Sequence, residues 1–118
     1  MPDHGSGAGV GESMALVITT VPDLQVGESL VRTLVEERLI ACGNLVPGLI
    51  SIYRWEGRVA RENEVLVLMK VAARFVDRLF DRITELHPYS VPEVVELSVE
   101  KVAESYRRWV IESTEVSA

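Results

Sequence analysis

The side chains of this sequence with the clearest chemical potential stand close together in one stretch, HPYSVPEVVE. His87, one of only two histidines, precedes Pro88, and Tyr89 and Glu93 follow. An imidazole, a phenol and a carboxylate this close in sequence could ligate a metal ion, transfer a proton or hydrogen-bond a small molecule. A structural interpretation also fits, because Pro88 can end a helix and Pro92 can stiffen the entry to a strand. The sequence leaves both interpretations open.

Metal binding would need further ligands. Copper(I) favours thiolate, thioether and imidazole groups, so Cys42 and His87 are the candidates in the predicted domain besides the methionines. Two ligands make a weak site, and we expect any copper or other divalent metal to be bound weakly, through His87 more than Cys42. We also expect that no cofactor is required.

The motifs that would indicate catalysis are missing from the sequence. No nucleophile and base stand at a recognisable spacing, no phosphate-binding loop occurs, and no pair of histidines could hold a catalytic zinc ion. We therefore expect that the protein is not an enzyme.

Composition and charge exclude several classes of protein. A chain of 118 residues with 47% apolar content can bury the core of one domain. The net charge of −6 argues against nucleic-acid binding, which depends on Lys and Arg. No apolar run approaches the roughly 20 residues that span a bilayer, and the first residues lack the apolar core of a secretory signal. We expect a cytoplasmic protein that binds neither nucleic acids nor membranes.

Residue patterning predicts the elements that must hold the chemical side chains. Residues 1–13 are rich in glycine and predict a disordered tail, followed by a single domain over residues 14–118. Within the domain, β-branched runs predict strands, and apolar residues at three- and four-residue spacing predict helices. The predicted elements are a strand MALVITTV, a helix from Asp23 to about Gly43, a strand LVPGLISIYRW, a turn region up to Asn63, a strand EVLVLMKV, a helix ending at His87, a strand EVVELSV and a C-terminal helix with Val102, Tyr106, Trp109 and Val110 on one face.

This order of elements predicts an α+β fold. Two β-α-β units with right-handed connections place both helices on one face of an antiparallel sheet, which is the ferredoxin-like βαββαβ sandwich with an added C-terminal helix. The strand LVPGLISIYRW carries apolar side chains on both faces, and two helices cannot cover them all. Pro47 places this strand at an edge or a bulge. Such a strand requires a partner surface.

Two other classes of protein with this fold lack their signatures here. A metallochaperone would carry a CxxC loop after the first strand, and an RNA-recognition domain would carry aromatic residues on its central strands. After the first strand the sequence has TTVPDL, which contains no cysteine. The predicted central strands MALVITT and EVLVLMK contain no aromatic residues.

Three segments, ERLIACGNLVPGLISIYRWEG, NEVLVLMK and HPYSVPEVVEL, together resemble the CutA family of divalent-cation tolerance proteins. The resemblance covers roughly residues 14–114. It departs from members with a cysteine near the end of the first strand and a second histidine beside the first, since Thr19 and Leu86 stand there. The resemblance implies a ferredoxin-like homotrimer joined through its long hairpin strands, with a role in copper tolerance. It also implies a cleft between subunits lined by Trp55, Lys70, His87, Tyr89 and Glu93.

The resemblance predicts a metal-binding or ligand-binding module, with signalling as a further role, in divalent-cation tolerance. The alternative is a PII-like sensor that binds an anionic small molecule in the cleft between subunits, because trimeric ferredoxin-like signalling proteins bind nucleotides there. Lys70 could neutralise a phosphate, and Trp55 could stack on a flat ligand or a cation. Both also have ordinary structural interpretations, as a sheet-end lysine and an interface anchor.

Overall fold

A four-stranded antiparallel sheet forms the framework of the chain in residues 12–114, the part that the computed structural model describes. The elements are β1 (Met14–Val21), α1 (Leu24–Glu36), β2 (Cys42–Trp55), β3 (Arg58–Ala72), α2 (Val76–Leu86), β4 (Val95–Ser98) and α3 (Glu104–Ser113). A 3-10 turn, Ala73–Phe75, connects β3 to α2. The strand order is β2-β3-β1-β4, which confirms the predicted ferredoxin-like βαββαβ arrangement.

The core lies on one face of the sheet. Val17 pairs with Met69, and both side chains are completely buried. Side chains alternate along a strand, so every second residue of β1 and β3 points to this face. Helices α1 and α2 cover it with fully buried or nearly fully buried apolar side chains, namely Leu30, Leu34, Leu79 and Ile83.

The opposite face of the sheet is largely uncovered within one chain. Leu16 pairs with Leu97, and Ile18 pairs with Val95. Val95 and Leu97 remain 40% and 45% exposed. Full burial of an exposed side chain of this size contributes about 1.5–3 kcal/mol, and less than half of that remains to be gained at each of these two residues. An apolar sheet face of this kind favours association with another surface.

The hairpin of β2 and β3 projects beyond the core. Strand β1 ends at Val21, opposite Val65, whereas the pairing of β2 with β3 continues to Trp55 and Arg58. The projection is roughly 20 Å long, and a two-stranded hairpin of this kind is at most marginally stable in water. Val59 on it is 68% exposed. The projecting hairpin therefore also exposes apolar surface that one chain does not bury.

The first helix and the edge strand test two predicted details. Asp23 caps α1 as predicted, because its side chain accepts a hydrogen bond of 2.9 Å from the amide of Val26. Pro47 was predicted to mark an edge or a bulge, and both are present, because β2 is an edge strand and its pairing shifts register between Val46 and Leu49. Gly48 takes a φ of 86° there, a conformation that glycine adopts without strain.

The predicted end of the first helix is wrong. Helix α1 ends at Glu36, several residues before Gly43. Leu39 keeps the helical spacing and is buried, but it enters the core from a loop in which Arg38 takes a left-handed φ of 62°. Val35 also stands at helical spacing from the buried Leu39 side chain of this segment, but it is exposed. A buried loop residue and a helical residue give the same spacing in sequence.

The predicted turn region before Asn63 is also wrong. The turn consists of Glu56 and Gly57 alone, both with positive φ, and β3 begins at Arg58. A two-residue turn of this conformation suits the twist of a hairpin. Polar residues continue the strand because this part of the hairpin lies outside the core.

The two ends of the chain differ from prediction in detail. Residues 1–11 and 115–118 lie outside the described residues, so the predicted tail is described only at its end, where the carbonyl of Ser13 accepts a hydrogen bond of 2.8 Å from the amide of Ala73. At the other end, the predicted apolar face of the third helix is wrong in part. Tyr106 and Trp109 are exposed, Val102 precedes α3, and the buried side chains of the helix are Val110 and Ile111.

Candidate functional site

A cleft of about 790 Å³ opens where the projecting hairpin meets the loop after α2. The hairpin and the loop each contribute to its walls, and the end of β1 contributes Thr20. Three aromatic and three acidic residues give the cleft its chemical character, namely Tyr53, Trp55, Tyr89, Glu62, Glu64 and Glu93.

The hairpin presents its cleft residues through strand alternation. Ser51 pairs with Glu62, and Tyr53 pairs with Ala60 two positions further along. Residues two apart on a strand share one face, so Tyr53 and Trp55 stand on the same face as Glu62 and Glu64. The loop side of the cleft begins where α2 ends. His87 adopts an extended backbone (φ −77°, ψ 138°), which is the conformation favoured before a proline.

His87 anchors the loop to the sheet. It is only 8% exposed, and its Nε2 lies 2.8 Å from the carbonyl oxygen of Thr20. The amide of Tyr89 donates a hydrogen bond of 3.1 Å to Nδ1 of His87. An Nδ1 that accepts must lack a proton, so this geometry assigns the neutral tautomer in which Nε2–H donates to Thr20. The histidine therefore serves here as a bridge that fixes the position of Tyr89.

Tyr89 joins the loop to the hairpin. Its hydroxyl donates a hydrogen bond of 2.7 Å to Oε2 of Glu64, and its ring lies 4.8 Å from the ring of His87 at an interplanar angle of 49°. Burial raises the pKa of Tyr89 well above its ordinary value, and the hydrogen bond to the Glu64 carboxylate raises it further. Tyr89 is therefore a neutral hydrogen-bond donor at physiological pH.

Glu64 is the buried acidic residue of the cleft. It is 8% exposed, and within residues 12–114 the hydroxyl of Tyr89 is the only hydrogen-bond donor that reaches its carboxylate. None of the ion pairs found within residues 12–114 involves Glu64, since they join arginines to other glutamates. The other oxygen of Glu64, Oε1, thus lacks a hydrogen-bond donor within the described residues.

A second pair of a phenol and a carboxylate lies on the hairpin. The pKa of Tyr53 is raised, first by partial burial and then by the neighbouring carboxylate of Glu62. Tyr53 and Glu62 are both exposed, unlike Tyr89 and Glu64. The cleft therefore combines the buried carboxylate of Glu64 with the exposed carboxylates of Glu62 and Glu93 and with aromatic rings.

Lys70 lies away from the cleft within one chain. It pairs with Leu16 and Cys42, and its Nζ lies 3.9 Å from Sγ of Cys42 and hydrogen-bonds to the side chain of Asn44. Trp55 and Cys42 are the two ends of the 14-residue strand β2, a distance on the order of 40 Å along a strand. The structure therefore brings Trp55, Tyr89 and Glu93 together in the cleft, places His87 next to Tyr89 and leaves Lys70 at the other end of the hairpin.

The two predicted metal ligands do not form a metal site within one chain. Both ring nitrogens of His87 are engaged in hydrogen bonds, and a metal ion would have to replace one of them. Cys42 is half-buried beside Lys70, at the opposite end of the hairpin. No group of three or more His, Cys, Asp or Glu side chains in residues 12–114 is arranged to hold a metal ion. Metal binding by His87 and Cys42 stays a prediction that this arrangement does not favour.

Sequence reasoning did not select Tyr53 and Glu62 as cleft residues, nor the contact of Glu64 with Tyr89. A usable signal was present, because Ser51, Tyr53 and Trp55 alternate on one strand and Glu62 and Glu64 alternate on the next. Once the two-residue turn is recognised, this alternation places all of them on one face.

Comparison with known families gives a match along nearly the whole described chain. A family model described as CutA1 divalent ion tolerance protein matches residues 15–113. A divalent-cation tolerance protein CutA from Thermus thermophilus is 44% identical over 99 residues, which are 84% of this chain and 96% of the relative. The human protein CutA is 40% identical over 113 residues, which are 96% of this chain and 63% of the relative.

Solved structures give the same result at the level of the fold. CutA from Xylella fastidiosa superposes with a TM-score of 0.85 at 35% identity, over 87% of this chain and 99% of that chain. A protein described as the PII-like protein CutA from Nostoc, in its apo form, superposes with a TM-score of 0.82 at 40% identity, again over 87% and 99%.

Proposed function

Because the chain belongs to the CutA1 family of divalent ion tolerance proteins, we propose that it acts as a homotrimeric ligand-binding or signalling module rather than as an enzyme. The observation that carries this proposal is the cleft between the projecting hairpin and the loop at Tyr89. The related proteins named above are called tolerance proteins or PII-like proteins, and these names describe no catalytic activity.

The construction of the cleft supports ligand binding. Its volume of about 790 Å³ lies within the range of roughly 300–1,000 Å³ that is common for small-molecule sites. Tyr89 is fixed through His87 on one side and Glu64 on the other, so a ligand would meet a wall that is already ordered. Preorganisation of this kind reduces the entropy lost on binding.

The uncovered apolar surfaces support the trimer. Both the open face of the sheet and the projecting hairpin expose side chains that a single chain does not bury. Lys70 and Trp55 lie at opposite ends of the hairpin, so a cleft that contained both would take them from different subunits. The trimer that the family resemblance implies would bring such ends together.

Tryptophan fluorescence provides a direct test of ligand binding. The chain has two tryptophans, and Trp109 lies on α3 beside Tyr106 rather than in the cleft. In a Trp109→Phe variant, Trp55 is the sole reporter, and we expect a saturable change of its emission when a cleft ligand is added. The panel would contain copper, zinc, nucleotides, carboxylates and amines.

A matched variant shows whether the signal comes from the cleft. Trp55→Phe retains Trp109, and its emission should not respond to the same ligand. The proposal fails if no member of the panel and no small molecule extracted from the purified protein changes the emission of Trp55.

Copper specificity and cellular location are the finer parts of the proposal. The names of the relatives specify divalent cations rather than copper, and the relatives from Arabidopsis thaliana and rice are named as chloroplastic. None of the helices within residues 12–114 combines the length and the hydropathy of a membrane span. Growth of a deletion strain on graded copper, with and without the restored gene, would test the copper role, and fractionation of the same cells would test a cytoplasmic location.

A further inference from the structure

The cleft has a marked bias of charge. Glu62, Glu64 and Glu93 line it, whereas no lysine, arginine or histidine is among its described lining residues. A single Lys70 contributed by a second copy would leave the lining acidic on balance. Electrostatic complementarity therefore favours a positively charged ligand over an anion.

The buried carboxylate gives an independent indication of the ligand. Glu64 is 8% exposed and lines the cleft, but its Oε1 has no hydrogen-bond donor within the described residues. A carboxylate that is removed from water without a full set of partners is costly. A cation or a charged N–H group in the cleft would supply the missing partner.

The arrangement of the carboxylates separates an organic cation from a metal ion. Divalent metal ions require several oxygen ligands that converge on one point at short distance. The acidic side chains of the cleft do not form such a group in the described part of the chain. They share the cleft with three aromatic rings, those of Tyr53, Trp55 and Tyr89. The faces of aromatic rings attract organic cations in which alkyl groups surround a positively charged nitrogen.

We propose that the cleft binds an organic ammonium ion. The carboxylates of Glu62, Glu64 and Glu93 would attract its charge, and the ring of Trp55 would contact it. This inference rests on the proposed ligand-binding role of the cleft and specifies its ligand class. It replaces the anion of the PII-like alternative with a cation of alkylammonium type.

Choline and its uncharged analogue provide a probe pair. The alcohol 3,3-dimethylbutan-1-ol has nearly the shape of choline but carries carbon in place of the charged nitrogen. In calorimetric titrations of the full chain at fixed ionic strength, we expect choline to bind roughly tenfold or more tightly than the alcohol, because only choline gains the cation–π and carboxylate attraction. Pyrophosphate, the anionic probe, should not bind in the cleft.

Carboxylate variants locate the binding. Glu62→Gln and Glu93→Gln alter exposed side chains, so both variants should fold, and light scattering and melting temperature would verify this. Each should weaken choline binding by roughly fivefold, as expected for loss of one charge at partly solvated contact distance. Glu28→Gln makes the same change on the exposed side of α1, outside the cleft, and should leave the affinity unchanged.

The outcomes distinguish the ligand class from the ligand-binding role itself. Equal affinity for choline and the alcohol, or unchanged choline affinity in Glu62→Gln and Glu93→Gln, would overturn the ammonium assignment. Saturable binding of pyrophosphate that changes the emission of Trp55 would also overturn it, while the role of the cleft as a ligand site would stand. Both proposals fail if neither the panel nor any small molecule extracted from the purified protein changes that emission.

Discussion

The hydrogen bond between Tyr89 and Glu64 should make a large contribution to the stability of the cleft. Tyr89→Phe removes the hydroxyl and leaves the shape of the ring nearly unchanged. Glu64, which is 8% exposed, then loses the one donor that reaches it among the described residues. Hydrogen bonds to charged groups contribute about 1.5–3 kcal/mol, and we expect the free energy of unfolding to fall by about 2 kcal/mol at neutral pH.

The same variant should change the pH dependence of stability. Burial and the Glu64 carboxylate raise the pKa of Tyr89 in the folded protein above the value of about 10 that a tyrosine has in the unfolded chain. Above pH 10 the unfolded chain therefore ionises this phenol while the folded protein keeps it protonated. The contribution of Tyr89 is complete below about pH 10 and is lost as the pH rises, at a rate of at most about 1.4 kcal/mol per pH unit. Tyr89→Phe lacks this loss, so the gap between the two proteins should narrow in alkali.

Denaturant unfolding at one fixed subunit concentration would measure both effects, because the stability of an oligomer depends on concentration. Tyr53→Phe is a matched control, since it removes an exposed phenol beside the exposed carboxylate of Glu62, and it should change stability little. In a Glu64→Gln background, Tyr89→Phe should cost less, because an uncharged amide is less costly to leave unpaired. The reasoning is refuted if Tyr89→Phe is as stable as the parent protein, or if its stability falls in parallel with the parent's above pH 10.

Three further predictions concern assembly, the chain start and metal binding. Light scattering should give a mass near three times 13.1 kDa, and Val59→Glu on the exposed hairpin should lower it; a parent protein of monomer mass would contradict the assembly. Removal of residues 1–11 should leave the melting temperature unchanged. Removal of residues 1–13 should lower it, because Glu12 and Ser13 contact the 3-10 turn before α2. Equal melting temperatures of the two shortened proteins would count against a stabilising role of those contacts. Copper(I) titration against a competing chelator should show weak binding that falls more in His87→Ala than in Cys42→Ser, and undiminished binding in His87→Ala would exclude the histidine as a ligand.

The local sequence determined the order and the type of the elements. Runs of β-branched residues specify strands through their fit to a pleated surface, and Asp23 specifies a helix start through its side-chain oxygen. Pro88 specifies the end of α2 because it confines His87 to an extended conformation. Each of these effects acts within a few residues, so the βαββαβ order could be predicted before any contact was known.

The boundaries that depend on solvent exposure could not be predicted in this way. The segment at residues 58–63 is a strand because it pairs with β2, and the hydropathy of the segment does not indicate that pairing. Leu39 is buried from a loop because the core has space for it there, although its spacing in sequence is that of a helix. In both cases tertiary contacts outweigh the local pattern.

The residues of the candidate site likewise fall into those that the local sequence indicated and those that only tertiary contacts brought together. The sequence by itself selected His87, Tyr89 and Glu93, because unusual residue types cluster within one short stretch. Only the tertiary structure paired Tyr89 with Glu64, 25 residues away, and His87 with Thr20, 67 residues away. Only the strand register separated Lys70 from the cleft. Residue type is a local property of the chain, whereas the partner of a buried polar group is set by how strands and loops pack together, and that packing decides which chemistry the cleft can support.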